Sequence, residues 1–406
     1  LESLEKNAGG VGPIRDLAWY TSRDSIHDIL QEGDVVLVKG QWLIQHADRH
    51  GILLCRQELP PEAIWKTEDL MQKLNEVELI AISSCWHSVD HPDPDGSQLR
   101  DIRPFLSKFE SPWKIFPFPI SNACDLLTHP FPWEEYKEHV AVFWDYCSLY
   151  QPRQLVAGGP RGLLPFEAES RERAVQNMHF WFAHEMIHTW CYTRTPQGMP
   201  TYEERGWPTW ELSVSLLLTG AGISSSGKFH PGVNVLDLGA LSGIEDKRRA
   251  SYSNILDCGK MQKPPLTPEQ FNSLMELKAF SRRDDLPLIK AKYKEIFSQI
   301  LGKAEVLRYT SRRWSVEDVE QLCYMLPHCH KLAELDLCDS TIKQEAFSHL
   351  LETLPTCMQL KVLSLDICDE HLDSLNVLKE RCPNLKIRNS RLSATMREMI
   401  HSILPW

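Results

Sequence analysis

The sequence predicts an α/β protein: a domain built around a parallel sheet, a helical connector, and a short array of strand–helix repeats toward the C-terminal end. Three observations carry that reading. Apolar, β-branched runs alternate with segments of helical periodicity over residues 76–235. Less regular, proline-punctuated helical patterns follow over 236–302. Four short strand-like segments, aligned on Leu307, Leu335, Leu363 and Ile387, then recur at intervals of 28, 28 and 24 residues within 303–406.

Residues 1–75 read as a mixed leader, with short strands at Asp34–Lys39 and Gly51–Cys55 and a break at Pro60-Pro61. The first strand of the main domain is Leu79–Ser84. A turn-rich loop, Asp90–Gly96, leads to Leu99–Leu106, whose apolar spacing is helical. Val140–Asp145 is the second strand, and Arg171–Ala183 places Val175, Met178 and Phe182 at helical spacing. The β-branched and aromatic run Ile187–Tyr192 predicts a third strand. A helix then opens at Glu211 and carries the apolar run Leu212–Leu218. In the connector, Thr267-Pro268-Glu269-Gln270 predicts a capped helix start, and a second helix covers Asp285–Ile300.

The repeat strands are separated by amphipathic helices at Val316–Leu326, Gln344–Leu354 and His371–Arg381, and Leu392–Leu404 reads as a capping helix. Leu360-x-x-Leu363-x-Leu365-x-x-Cys368 fits the leucine-rich repeat pattern, and Leu332-x-x-Leu335-x-Leu337 fits most of it. One such unit cannot bury its apolar face alone; stacking makes the core, and the stacked surface suits a protein partner.

The 406 residues suggest two or three domains of ordinary globular composition, 42% hydrophobic and 24% charged. Fifty-five acids against 44 bases give a net charge of −11, which argues against a nucleic-acid binder. Lys247–Arg249 and Arg312-Arg313 are short basic clusters of the kind found on solvated surfaces. The 12 cysteines are scattered, with no Cys-x-x-Cys pair, as expected of reduced thiols in a cytoplasmic protein. No apolar run approaches the ~20 residues of a membrane span, and no signal peptide is visible, although the sequence opens on Leu1.

Glu211 is the first catalytic candidate. At a helix start the dipole stabilises a carboxylate, while burial against Trp207 and Trp210 raises its pKa. A carboxyl group in that balance suits a nucleophile, a base or a stabiliser of positive charge. Ser83, Ser84, Cys85 and Trp86 fall at the carboxyl end of one parallel strand, and Asp145 and Cys147 at the end of the next, where open α/β sheets bind ligands. A competing motif is His184-Glu185-Met-Ile-His188, a formal zinc pattern with Glu185 as base and Glu211 as third ligand. It requires one helix through both histidines, whereas Ile187–Tyr192 has strand character. Asp93-Pro-Asp-Gly96 hints at a calcium loop, but the twelfth position from Asp93 is Pro104 instead of Glu, so a rigid turn is the simpler reading. Arg100 and Arg103 could meet phosphates or pair with surface acids. No phosphate-binding glycine loop is present; Gly158–Gly162 reads as a flexible loop.

Four blocks carry a family resemblance. Leu79-Ile-Ala-Ile-Ser-Ser-Cys-Trp86 resembles the first strand and loop of the heterokaryon-incompatibility (HET) domain, and Phe143-Trp-Asp-Tyr-Cys-Ser-Leu-Tyr-Gln151 its second block. Arg173-Ala-Val-Gln-Asn-Met178 with Ala183 is similar to its helix, and Tyr202-x-x-Arg-Gly-Trp-x-x-x-Glu211 to its closing block. The blocks fall in the family's order over about 76–218 and look closest to HET-like proteins of algae and other protists. HET domains are regarded as relatives of the Toll/interleukin-1 receptor (TIR) domain, so the resemblance implies a TIR-like, flavodoxin-like sheet domain. NAD-cleaving TIR proteins carry their catalytic glutamate in a Trp-Cys-x-x-Glu-Leu block. Here the block is Trp207-Pro-Thr-Trp-Glu211-Leu212, with Pro208 in place of Cys. The strand-end Trp86 suits stacking on a nicotinamide or adenine ring, and Trp207 joins it as a candidate binding residue. The resemblance implies Glu211 as the carboxylate facing an oxocarbenium-like ribose, NAD as substrate and no required cofactor. It equally implies self-association and signalling or defence roles without catalysis.

Overall fold

The structure is a computed structural model that describes residues 17–109, 139–156, 159–219, 235–239, 263–309, 314–338, 340–366 and 372–389. The main sheet has five strands: β1 (Val38–Lys39), β2 (Val77–Ser84), β3 (His139–Trp144), β4 (Ile187–Tyr192) and β5 (Val235–Asp237). Their spatial order is β1-β3-β2-β4-β5. β3, β2, β4 and β5 are parallel neighbours, and only the edge strand β1 runs antiparallel. The chain adds β3 to one side of β2, then crosses to add β4 and β5 on the other. That reversal puts the topological switch point at the carboxyl ends of β2 and β4, where open α/β sheets place their ligands.

The strands are apolar because both faces of the sheet are covered. β2 is buried from Val77 through Ser83. Leu79 and Ala81 point into one core, Ile80 and Ile82 into the other. The first core is closed by α1 (Arg23–Gln31), which contributes Ile26, Ile29 and Leu30, together with segments that follow β3. The second is closed by α2 (Gly40–Asp48) and α3 (Ser97–Phe109), through Leu43, Ala47, Leu99, Ile102, Phe105 and Leu106. After β3 come α4 (Pro165–Gln176) and the short α5 (His179–Ala183), then α6 (Gly206–Thr219) after β4.

Several local expectations need correction. The leader is part of the sheet: its Val38–Lys39 forms β1, but the strand is two residues long instead of six. Gly51–Cys55 makes no ladder; Leu53 and Cys55 are buried on an extended segment that runs into a 3-10 turn at Arg56–Glu58. The helix expected over Arg171–Ala183 is two helices broken at Asn177-Met178. The sheet also runs two residues past 235, through β5. Helix α6 begins at Gly206, so Glu211 sits in its second turn and receives less from the dipole than a first-turn residue. Pro208 permits the earlier start, since a first-turn proline lacks only an N–H that has no intrahelical partner.

In the connector, α7 (Pro268–Glu276) opens with a Thr267–Gln270 capping box, and α8 is Leu286–Ile300. Phe271 stacks on Tyr293 at 3.9 Å, and the Tyr20 hydroxyl donates to Gln299 at 2.9 Å, tying leader to connector. Beyond it lies a second sheet of four parallel strands, β6 (Val306–Arg308), β7 (Glu334–Leu337), β8 (Val362–Leu365) and β9 (Lys386–Asn389), in chain order. Val306, Glu334, Val362 and Lys386 are in register, which reproduces the 28, 28 and 24 residue intervals. Helices α9 (Val316–Met325), α10 (Gln344–Thr353) and α11 (Leu372–Arg381) alternate with the strands and bury Leu322, Leu350 and Leu378 against Leu335 and Leu363. The candidate capping helix, both basic clusters and Cys368 lie outside the described residues. One apolar core runs without interruption from Tyr20 through α8 to Leu385. No helix among the described residues is long and apolar enough to cross a membrane.

Candidate functional site

The carboxyl end of β2 delivers Ser83 into a closed polar centre. Its hydroxyl donates to Glu211 Oε2 at 2.5 Å and lies 2.6 Å from the Tyr202 hydroxyl, which is 3.2 Å from the Pro208 carbonyl. Ser83 and Tyr202 have no exposed surface, and Glu211 is 6% exposed. One turn on, Ser215 on α6 and Thr189 on β4 are 2.9 Å apart, so a second polar contact holds α6 against the face of the sheet. The start of α6 is set by close approach: a Cβ on Gly206 would lie 2.1 Å from the Phe280 ring, and the Gly206 N–H donates to Ala279 O at 2.8 Å.

Burial pushes the Glu211 carboxyl well above its usual range, and the charge of Asp145 adds to the effect; the Ser83 hydrogen bond opposes both. Asp145 keeps some accessible surface but is surrounded by protein on most sides, and this raises its own carboxyl. The Tyr146 N–H at 2.7 Å, the Trp86 indole N–H at 3.3 Å and the charge of Arg171 pull the other way. Arg171 has a buried Nε with no hydrogen-bond partner. Glu211 thus faces a serine and feels the charge of Asp145, whereas Asp145 faces an indole and feels the charge of Arg171, so the two carboxyl groups sit in different environments.

Ser83, Cys85, Asp145, Trp86 and Glu211 therefore share one end of the sheet. The roles within that group differ from expectation. Cys85 is fully buried beside Cys191 and Tyr202, and burial pushes its thiol to about 12, so it is a packing residue. Trp86 is half-buried, packs edge-on against Tyr146 at 5.5 Å and orients Asp145. Ser84 turns away and accepts the Trp144 indole N–H at 3.2 Å. Cys147 lies in the second core with its thiol pushed well up. Trp207 faces the connector: its N–H donates to Asp285 at 3.0 Å and it packs against Trp210 at 5.5 Å. The desolvation of Glu211 thus accompanies its enclosure beside Ser83 and Tyr202, and Trp207 is directed to a different neighbour. Arg171 is the member that spacing did not single out, whereas Arg205, which donates to the Trp86 carbonyl at 3.0 Å, stood in the closing block. Tyr202 lay within the closing block, nine residues before Glu211, and was readable there.

The histidine pair has structural partners. His184 follows α5, is buried, and has Nε2 3.0 Å from the Ser22 carbonyl while Nδ1 accepts the Met186 N–H at 3.2 Å. Those partners fix the neutral Nε2–H tautomer and occupy both nitrogens. His188 is on β4 and pairs with Glu78 of β2 at 2.5 Å. The single helix that a zinc site would need does not run through them, because strand pairing with β2 claims Ile187–Tyr192. Asp93 is a helix cap: its two oxygens accept the N–H groups of Gln98 at 2.9 Å and Leu99 at 3.1 Å at the start of α3. Arg103 pairs with Asp48 at 2.9 Å, and Arg100 donates to the Asp95 carbonyl at 2.7 Å. Comparison with protein-family models, with curated proteins and with solved structures gives no match to this chain.

Proposed function

We propose that the chain is a cytoplasmic signalling or defence-type protein whose HET/TIR-like domain hydrolyses NAD or a related nucleotide at Glu211. The observation that carries this reading is the position of a desolvated, serine-bonded carboxyl group at the carboxyl end of the central parallel strand, where the strand order reverses. In the reaction, the C1′–N glycosidic bond breaks and nicotinamide leaves with the bonding pair. Glu211, ionised, faces the oxocarbenium-like ribose; water then adds to C1′ and gives up a proton. The positive charge of a bound pyridinium ring offsets the burial that keeps Glu211 protonated, so substrate itself favours the reactive ionised form. Ser83 holds the carboxylate in place, and Asp145 with Arg171 forms the polar wall beside it.

A second reading has its own support. At 6% exposure Glu211 is enclosed, and catalysis requires the surrounding elements to open. A closed centre also suits a non-catalytic module that self-associates. In both readings the C-terminal strand–helix unit is a leucine-rich repeat array that binds a protein partner, supported by its 28-residue register and repeated buried leucines.

The test is nicotinamide release by Ser83→Ala and Tyr202→Phe variants at high protein concentration. Loss of the hydrogen bond to an ionised Glu211 lowers kcat by about 10- to 100-fold in the Ser83 variant. Tyr202→Phe produces a smaller loss. Absence of turnover in the parent, with self-association intact by sedimentation, selects the scaffold.

A further inference from the structure

The loop between β2 and α3 holds a second constellation that the Glu211 chemistry does not use. His87, Asp93 and Asp95 each bring one ligand atom to within 4.8 Å of the others. His87 Nε2 is a buried imidazole nitrogen with no hydrogen-bond partner. Gln98, fully buried in the first turn of α3, also has an Oε1 without a hydrogen-bond partner. His87 therefore offers a ring nitrogen that no protein group in the turn engages. The loop is otherwise well bonded: His87 N–H donates to Pro92 O at 3.0 Å and Ser88 N–H to His91 O at 3.1 Å. Those bonds set His87 opposite the two aspartates.

We propose that His87, Asp93 and Asp95 bind a divalent transition-metal cation, with zinc the best fit. A mixed imidazole and carboxylate set suits zinc better than calcium or magnesium, which take oxygen ligands. Metal–ligand bonds of about 2.0–2.2 Å place ligand atoms about 3.4 Å apart in a tetrahedron, so the cluster must contract somewhat. Asp95 is exposed and able to supply that movement. Asp93 is held by the Gln98 and Leu99 N–H groups, each of which takes one lone pair of a carboxylate oxygen and leaves another. The two carboxylates offset the repulsion from Arg205, whose charge reaches His87 and whose guanidinium is tied to the Trp86 carbonyl at 3.0 Å. Three protein ligands leave a position for water or for a ligand group. The ion clamps the loop that begins at Cys85-Trp86, and its binding is measurable whether or not Glu211 is catalytic.

The test uses the full chain, stripped with a chelator and titrated with zinc by calorimetry and with cobalt by visible absorption. His87→Asn and Asp95→Asn are compared with it. The second variant keeps an acceptor for Ser97, which Asp95 Oδ1 bonds at 2.7 Å, so its fold is retained. The expected result is one bound equivalent, a tetrahedral cobalt spectrum, a higher thermal midpoint with zinc, and at least about tenfold weaker binding in both variants. Calcium at the same concentration leaves the titration unchanged. Absence of binding, or binding of unchanged affinity in either variant, overturns the site.

Discussion

Glu211 keeps its proton above the usual carboxylate range because it is enclosed and because Asp145 is close enough to oppose its charge. The unfolded chain ionises near its ordinary value of 4.5, so stability from this group is full below that pH and is lost as pH rises toward the native value. Glu211→Gln, an uncharged substitute of the same shape, removes that loss. Thermal melts at pH 4.5, 6 and 8 are therefore expected to show the variant gaining on the parent as pH rises. His184 has the opposite dependence. Burial lowers its pKa from 6.5 to about 4, so the native state excludes a proton that the unfolded chain takes up. Stability is full above about pH 6.5 and falls as pH drops toward 4, by on the order of 3 kcal/mol. In urea titrations, His184→Gln should flatten that acid slope while costing stability at pH 7. At this scale, the strand-end position of Ser83 and Asp145 was legible, because a parallel strand puts its last residues at the sheet edge. The direction of Trp207 was not, since it depends on Asp285, 78 residues away.

Among the elements, those with strong internal periodicity were legible to within a few residues. β4 matches the β-branched run Ile187–Tyr192, and the four repeat strands fall where the 28-residue register puts them. The failures have a common cause: local pattern does not supply a partner. Gly51–Cys55 alternates buried and less buried residues as a strand would, yet among the described residues no neighbouring strand offers it a ladder. The start of α6 is fixed by the Phe280 ring and the Ala279 carbonyl, neither of which is local. The stacked unit should respond strongly to loss of one repeated leucine. Leu363, with no exposed surface, is expected to cost about 2–5 kcal/mol when changed to Ala. Chemical denaturation measures it, and a loss under 1 kcal/mol contradicts the packing described.

For the whole molecule, the continuous core means that leader, sheet, connector and repeat unit support one another. Tyr20 reaches Gln299, and Ile296, Phe297, Ile300 and Leu301 of the connector belong to the same apolar cluster as Leu307 and Leu335. A chain ending at 302 should expose that surface, lose a sharp unfolding transition and bind a hydrophobic dye; retention of the parent's melting profile refutes the shared core. The α/β architecture and the chain position of the repeats were readable from pattern. The joining of the pieces was not, because it rests on side chains hundreds of residues apart. The measurement that bears most directly on the central claim is nicotinamide release from NAD by the full chain, at high concentration with a crowding agent, beside Glu211→Gln. Release by the parent and its loss in the variant is the expected result. Equal release by both, or none from the parent under any condition that promotes assembly, contradicts a catalytic Glu211.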